Sequence, residues 1–151
     1  MIVVNCPTEM ETRALAARLA SLCRPGDVIV LSGGLGVGKT TFVGGLADGL
    51  GVEENITSPT FVLMRQYGSG FLPLIHVDVY RLSSSLEFDD LEVFELGREG
   101  VVAIEWGDVV GAVLPTDRLH VELALGDEGA RSITLQPMGA WNARPIAEVG
   151  T

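Results

Sequence analysis

The sequence predicts a single α/β domain whose sheet contains both parallel and antiparallel strands. An apolar, β-branched run over 27–32 is followed by a glycine-rich loop and then by a helical segment, a strand–loop–helix order that is typical of α/β proteins. Further along, two pairs of strand-like runs are separated by short turns, as in antiparallel hairpins. A length of 151 residues with 47% hydrophobic residues suits one core.

The first half of the chain is predicted to alternate strands and helices. Thr8 is a good N-cap with Glu11 three residues later, and leucines every three or four residues then trace one helical face. An Arg-Pro-Gly sequence breaks this helix before the next strand. The predicted elements are a strand over 2–5, a helix over 9–22, a strand over 27–32 and a helix over 41–50 that Gly51 closes.

The second half is predicted to contain two hairpins around a buried strand. Glycine and serine turns separate the paired runs, and an acidic segment between the hairpins suggests one or two short helices. We see no linker or second domain within 1–151, and the tail from Gly139 lacks periodicity and is expected to fray. The predicted elements are strands over 61–64 and 73–80, helices within 83–97, a strand over 101–106, and strands over 118–125 and 131–136.

Composition and charge restrict the function. A formal charge of −10 and a pI near 4.5 disfavour autonomous binding to nucleic acid, which depends on basic residues that neutralise phosphates. No apolar run approaches the roughly 18 residues that span a bilayer, and the start of the chain lacks signal-peptide features. Cys6 and Cys23 have no ligand-like spacing. We therefore expect a cytoplasmic protein without a membrane partner or a cysteine-bound metal.

Residues 33–40, here called the phosphate loop, match the pattern G-x-x-x-x-G-K-S/T at every fixed position. Glycines allow positive φ and turn successive N–H groups inward, so that the loop becomes an anion nest at a helix N-terminus. The Lys39 ammonium is expected to contact the β- and γ-phosphates, and the Thr40 hydroxyl to ligate Mg²⁺. The predicted nucleotide-binding residues are Gly33, Gly34, Leu35, Gly36, Val37, Gly38, Lys39, Thr40 and Thr41.

Two carboxylates qualify as acidic partners of this loop. Mg²⁺ at such loops is usually steadied by a carboxylate at the end of a neighbouring apolar strand, directly or through water. Glu105 follows four apolar residues and Asp78 follows another predicted strand, so both are expected at the carboxyl edge of the sheet. A cap or surface ion pair is the alternative for each, but the adjacent phosphate loop favours a functional role.

Three further positions leave alternatives open. A hydroxyl of Ser58-Pro59-Thr60 could reach phosphate or Mg²⁺ from the connection after the loop helix, although ordinary Ser-Pro turn chemistry explains this sequence equally well. His76 could carry protons, yet a lone histidine in a strand is more often a hydrogen-bonded core residue. Trp106 is favoured as a packing residue that could report nucleotide binding.

Four motifs in order and spacing resemble the TsaE (YjeE) family. They are the phosphate loop extended to Thr41, then Ser-Pro-Thr-Phe at 58–61, His-Val-Asp-Val-Tyr-Arg-Leu at 76–82, and Ile-Glu-Trp at 104–106. The likeness extends from the Thr8 helix to the region of Pro115, which is nearly the whole chain. Because four ordered motifs are far more specific than one, this resemblance narrows the function well beyond nucleotide binding.

The resemblance implies a P-loop NTPase-like, three-layer fold with a mixed sheet. It implies an ATPase required for threonylcarbamoyladenosine modification of tRNA at adenosine 37, slow until it meets the TsaB and TsaD proteins, with tRNA contacted only indirectly. By matching positions, Lys39 would hold the phosphates, Thr40 and Glu105 the metal, and Asp78 the attacking water or the metal. Thr60 and Tyr80 would lie in moving loops.

The sequence departs from the family pattern at two places. Gly107 stands where proline commonly follows the Glu-Trp pair, and Gly44 stands where a basic residue commonly precedes Gly45. Neither departure removes a phosphate or metal ligand. Glu9 and Arg131 are only loosely suggested near the adenine.

Two other functions compete with the ATPase prediction. A small-molecule kinase would share the phosphate loop and use Asp78 as a base, but its lid arginines would have to be Arg81 and Arg98. A non-catalytic module would use ATP only to order residues 57–67 for docking. In the ATPase, water attacks the γ-phosphate in line, and no covalent intermediate is required.

Overall fold

A computed structural model describes residues 1–34, 36–57, 63–79, 88–89, 91–105 and 111–150. The helices that lie wholly within those ranges include α1 (Glu9–Ala20), α2 (Lys39–Leu50), α3 (Val93–Leu96) and α4 (Ile146–Val149), with 3-10 segments at Asp127–Gly129 and Gly139–Ala143. The strands are β1 (Ile2–Cys6), β2 (Asp27–Ser32), β3 (Met64–Tyr67), β4 (Leu74–Asp78), β5 (Val101–Glu105), β6 (Arg118–Leu125) and β7 (Arg131–Met138).

The strands form one sheet in the order β1-β7-β6-β2-β5-β4-β3. Strands β4, β5, β2 and β6 are parallel to one another, whereas β3 pairs with β4, and β7 pairs with both β6 and β1, in antiparallel fashion. The predicted mixed sheet and both predicted hairpins are therefore confirmed. Because β2, β4 and β5 run the same way, their carboxyl ends meet at one edge.

Side chains on the two faces of the central strands pack into two separate hydrophobic cores. One face of the sheet packs against α1 and α2, with Ile29, Leu31 and Ala103 among its buried residues. The other face buries Val28, Val30 and Ile104 beneath Phe88 and α3. The domain therefore has three layers, with helices on both sides of the sheet.

The caps of the two long helices agree with their sequence signals. The Thr8 hydroxyl accepts a hydrogen bond from the Glu11 amide at 3.2 Å, as the predicted N-cap requires. Gly51 closes α2 with φ of 81°. Helix α2 begins at Lys39 rather than at Thr41, because Gly38 takes a left-handed conformation immediately before it and leaves Lys39 and Thr40 in the first turn.

Three glycines inside α2 allow a close approach of the two helices. A Cβ atom on Gly44 would lie 2.5 Å from the Arg13 guanidinium, and one on Gly49 would lie 2.5 Å from the Ala17 carbonyl oxygen. At Gly45, a Cβ atom would overlap the backbone of Arg13. Since α1 occupies the space where side chains would lie, tertiary packing compensates for the low helix propensity of glycine.

Several element boundaries differ from the predictions by a few residues. Strand β3 covers Met64–Tyr67 rather than 61–64, because Leu63 has φ of 66° and cannot continue an extended strand. Residues 61–62 lie outside the described ranges. Helix α1 ends at Ala20 rather than at residue 22, β4 ends at Asp78 rather than at residue 80, and β7 continues to Met138. Residue 106, the predicted end of β5, lies outside the described ranges. Residues 93–96 form one of the predicted acidic helices.

The expectation that the tail frays is wrong for residues 139–150. Trp141 is fully buried in the α1–α2 core, and Ile146 and Val149 are buried beside it. The Arg144 guanidinium forms two hydrogen bonds with the Asp27 carboxylate, at 2.5 and 2.9 Å, and lies 4.0 Å from the centre of the Trp141 ring. The tail therefore closes the amino-terminal edge of β2.

None of the helices in the described ranges is long and apolar enough to cross a membrane.

Candidate nucleotide site

The phosphate loop connects β2 to α2 at the carboxyl edge of the sheet, as predicted. Gly33, Gly36 and Gly38 have φ of 145°, 73° and 109°, values that residues with side chains rarely adopt. A Cβ atom on Gly33 would also lie 2.5 Å from the backbone oxygen of Leu123 in β6. The backbone conformation of the loop thus requires glycine at both positions that the pattern specifies, 33 and 38, and favours it at position 36 as well. Leu35 lies outside the described residues.

Lys39 is the only lysine in the chain, and its ammonium lies within the phosphate loop. Its Nζ donates hydrogen bonds to the carbonyl oxygens of Gly33 at 2.7 Å and Gly34 at 3.0 Å, and the residue is 5% exposed. Burial lowers the pKa of the ammonium, while the carboxylates of Glu105 and Asp78 act in the opposite direction. A bound phosphate would favour the charged form in the same way as these carboxylates.

Thr40 and Glu105 form the pair that fits a metal ion. The Thr40 hydroxyl lies 3.3 and 3.4 Å from the two carboxylate oxygens of Glu105, which is 3% exposed at the end of β5. Neighbouring oxygen ligands of an octahedral Mg²⁺ lie about 3 Å apart, so this spacing suits a shared ion. Among the residues that the structure describes, no group of three His, Cys, Asp or Glu could hold a metal. Mg²⁺ does not need one, because it usually retains waters and takes phosphate oxygens.

Asp78 lies beside Glu105, as the strand-end argument predicted. The two residues are register partners on β4 and β5, and Asp78 is 3% exposed. The Asp78 amide donates to the Leu63 carbonyl at 2.9 Å, which joins this strand end to the start of β3. Because side chains alternate along a strand, Asp78, His76 and Glu105 all project from the face that carries α1 and α2.

His76 is a hydrogen-bonded core residue, the more favoured of its two interpretations. It is fully buried, and its Nε2 forms a hydrogen bond with Oε2 of Glu105, whereas no hydrogen-bond partner of Nδ1 lies within the described chain. Glu105 therefore contacts Thr40 on one side and His76 on the other. His76 and Asp78 are two residues apart, so the sequence indicates that both lie on the same face of β4. The contact of His76 with Glu105 could not be predicted without the register of β4 against β5.

Arg131 lies against the phosphate loop, whereas Glu9 lies exposed in the first turn of α1. The Nε of Arg131 donates to the Val37 carbonyl at 2.6 Å from the start of β7. Arg98 precedes β5 and lies close to Gly26, which precedes β2, with its carbonyl oxygen 3.5 Å from the place of a Cβ atom on that glycine. Arg98 therefore lies at the amino-terminal edge of the sheet. This position, opposite the phosphate loop, does not suit a kinase lid.

A cavity of about 380 Å³ opens beside the loop helix. It lies between α1, α2 and residues 54–56, and Thr40 and Thr41 form part of its wall together with Arg13. Thr41, which follows the loop directly, stays a predicted nucleotide-binding residue. The other predicted positions, namely Ser58, Pro59, Thr60, Tyr80, Arg81, Trp106 and Gly107, lie outside the described residues.

The three-layer architecture and the loop between β2 and α2 define an α/β protein of the P-loop NTPase-like class. Residues 6–133 match the family model described as threonylcarbamoyl adenosine biosynthesis protein TsaE. The chain belongs to the TsaE family.

Curated relatives and a solved structure agree with this assignment. The chain is 40% identical over 129 residues to the tRNA threonylcarbamoyladenosine biosynthesis protein TsaE of Bacillus subtilis, covering 85% of this chain and 81% of that protein. It is 47% identical over 126 residues to the TsaE protein of Treponema pallidum, covering 83% and 93%. The crystal structure of Bacillus subtilis YdiB is similar with a TM-score of 0.81 and 32% identity, over 99% of this chain and 93% of that one.

Proposed function

We propose that the protein is a cytoplasmic ATPase of tRNA threonylcarbamoyladenosine biosynthesis. It binds Mg²⁺ and ATP at the phosphate loop and hydrolyses ATP when engaged with TsaB and TsaD. The observation that carries this proposal is the arrangement of Lys39 inside the loop with the Thr40–Glu105 pair directly beside it. Family membership and the names of the relatives support the pathway.

The phosphates would lie over the loop, where backbone N–H groups and the start of α2 favour anions. Two loop carbonyls hold the Lys39 ammonium in place, so it needs little rearrangement to meet the β- and γ-phosphates. Thr40 and Glu105 would hold Mg²⁺, which when bound neutralises charge on the phosphate oxygens. His76 would keep the Glu105 carboxylate oriented toward that ion.

Hydrolysis would proceed by in-line attack of water on the γ-phosphate, without a covalent intermediate. Lys39 and the loop amides would stabilise the charge that develops on the transferred group. Asp78 is placed next to Glu105 at the same strand edge, where it would orient the water or contribute to the metal site through water. The chain's charge of −10 leaves tRNA contact mainly to the partner proteins.

The test is phosphate release from ATP by the protein alone, with TsaB and TsaD, and with both partners and tRNA. We expect slow release by the protein alone and a clear stimulation by the partners, without any phosphorylated small molecule among the products. No stimulation would contradict the partner-activated ATPase. A phosphorylated product would favour a kinase, and full tRNA modification with a non-hydrolysable ATP analogue would favour a binding module.

A further inference from the structure

Arg131 connects the β6–β7 hairpin to the phosphate loop through two backbone oxygens. Its Nε donates to the Val37 carbonyl at 2.6 Å, and its Nη1 donates to the Gly129 carbonyl at 2.5 Å. The hairpin also supports the other end of the loop, because Gly33 lies against the backbone of Leu123 in β6. The loop therefore rests on this hairpin at both of its ends.

The contact with Val37 determines the orientation of one peptide group in the loop. None of the described peptide bonds is cis, and in a planar trans peptide the C=O and the following N–H point in opposite directions. With the Val37 carbonyl directed at Arg131, the Gly38 N–H is directed away from the hairpin. Gly38 precedes the first turn of α2, where amides have no partner within the helix and are available to an anion.

We propose that Arg131 is a positioning residue for nucleotide binding, which acts by holding the Val37–Gly38 peptide so that the Gly38 N–H faces the β-phosphate. This proposal rests on the proposed binding of ATP. The decisive group is the Nε donor on the Val37 carbonyl, rather than contact of the guanidinium with the nucleotide. The guanidinium is already held by Val37 and Gly129, which fixes this donor in place.

Two variants of nearly equal shape separate the donor from the charge. Arg131→Gln keeps an N–H donor at the same number of bonds from the backbone as Nε, but it removes the positive charge. Arg131→Met gives a side chain of the same length as that glutamine and removes both the donor and the charge. We expect the Met variant to bind ADP about tenfold more weakly than the wild type, as for the loss of one hydrogen bond that orients a buried peptide, and the Gln variant to stay within about threefold.

The measurement is calorimetric titration with ADP, together with NMR observation of the Gly38 amide during the same titration. We expect the large shift of that amide on ADP binding to persist in the Gln variant and to be lost or reduced in the Met variant. Equal affinity of the wild type and both variants overturns the proposal, as does an equal loss in both variants, which would indicate a charge effect or direct contact.

Failure of ADP to bind the wild type would overturn the nucleotide proposal itself, so the two failures are distinguishable. If the Met variant does not fold, the wild-type protein still decides the matter through the hydrogen-bond coupling between Arg131 Nε and the Val37 carbonyl carbon. That coupling should persist when ADP binds. Its disappearance on binding would contradict a positioning role.

Discussion

Replacing Lys39 with alanine is expected to lower partner-stimulated ATP hydrolysis by about 10²–10³-fold, the scale seen when one charge-stabilising donor is removed from a transition state. Lys39 is the only lysine in the chain, and its ammonium donates hydrogen bonds to two loop carbonyls. Without it, no ammonium would offset the partial negative charge of the Gly33 and Gly34 carbonyl oxygens beside the phosphates. The rate of phosphate release is measured with TsaB and TsaD present.

Two variants serve as controls for this result. Lys39→Arg keeps the charge, but a planar guanidinium does not fit the place of a compact ammonium between two carbonyls, so activity should also fall. Arg98→Ala removes one positive charge at the opposite edge of the sheet and should leave the rate unchanged. A Lys39→Ala protein that hydrolyses ATP at the normal rate would show that the role given to this residue is wrong.

Replacing Arg144 with leucine is expected to lower the free energy of unfolding by about 3–5 kcal/mol, the usual cost of removing one partner from a buried ion pair. The side chains of Arg144 and Asp27 are 7% and 9% exposed, and they share two hydrogen bonds. Arg144 also donates to the Leu22 carbonyl at 3.1 Å and covers the Trp141 ring. Its loss would leave the buried Asp27 carboxylate without its positively charged partner.

Urea unfolding of three proteins tests this expectation. The double variant Arg144→Leu with Asp27→Asn should recover part of the stability, because the unpaired charge is gone. Arg13→Leu removes an exposed ion pair with Asp48 and should cost no more than about 1 kcal/mol. If Arg144→Leu is no more destabilising than Arg13→Leu, the buried ion pair does not hold the tail in place.

The sequence predicted those parts of the fold that depend on local patterns. The phosphate loop, the Thr8 cap and the glycine after α2 each require particular residue types at fixed spacing, and all three lie where expected. The positions of Asp78 and Glu105 followed from one further rule, that parallel strands end at the same edge. Local signals combined with strand direction were therefore sufficient to predict the main features of the candidate site.

The parts that the sequence did not predict depend on contacts between distant residues. The hydrogen bond from His76 to Glu105 exists only because β4 and β5 align in one register. The tail has short helical segments without periodicity, and its order comes from pairing Arg144 with Asp27, 117 residues earlier. Likewise, the need for glycine at position 45 is evident only once α1 packs against it. No local pattern encodes such pairings.

The proposed nucleotide site is tested as a whole by calorimetric titration of the unmodified protein with ATP, first with Mg²⁺ and then with a chelator. If Lys39, Thr40 and Glu105 form a site for Mg²⁺ and ATP, one nucleotide should bind per chain, and removal of Mg²⁺ should weaken that binding. Absence of saturable binding, or an affinity that does not depend on Mg²⁺, would contradict a site for Mg²⁺ and ATP at these residues.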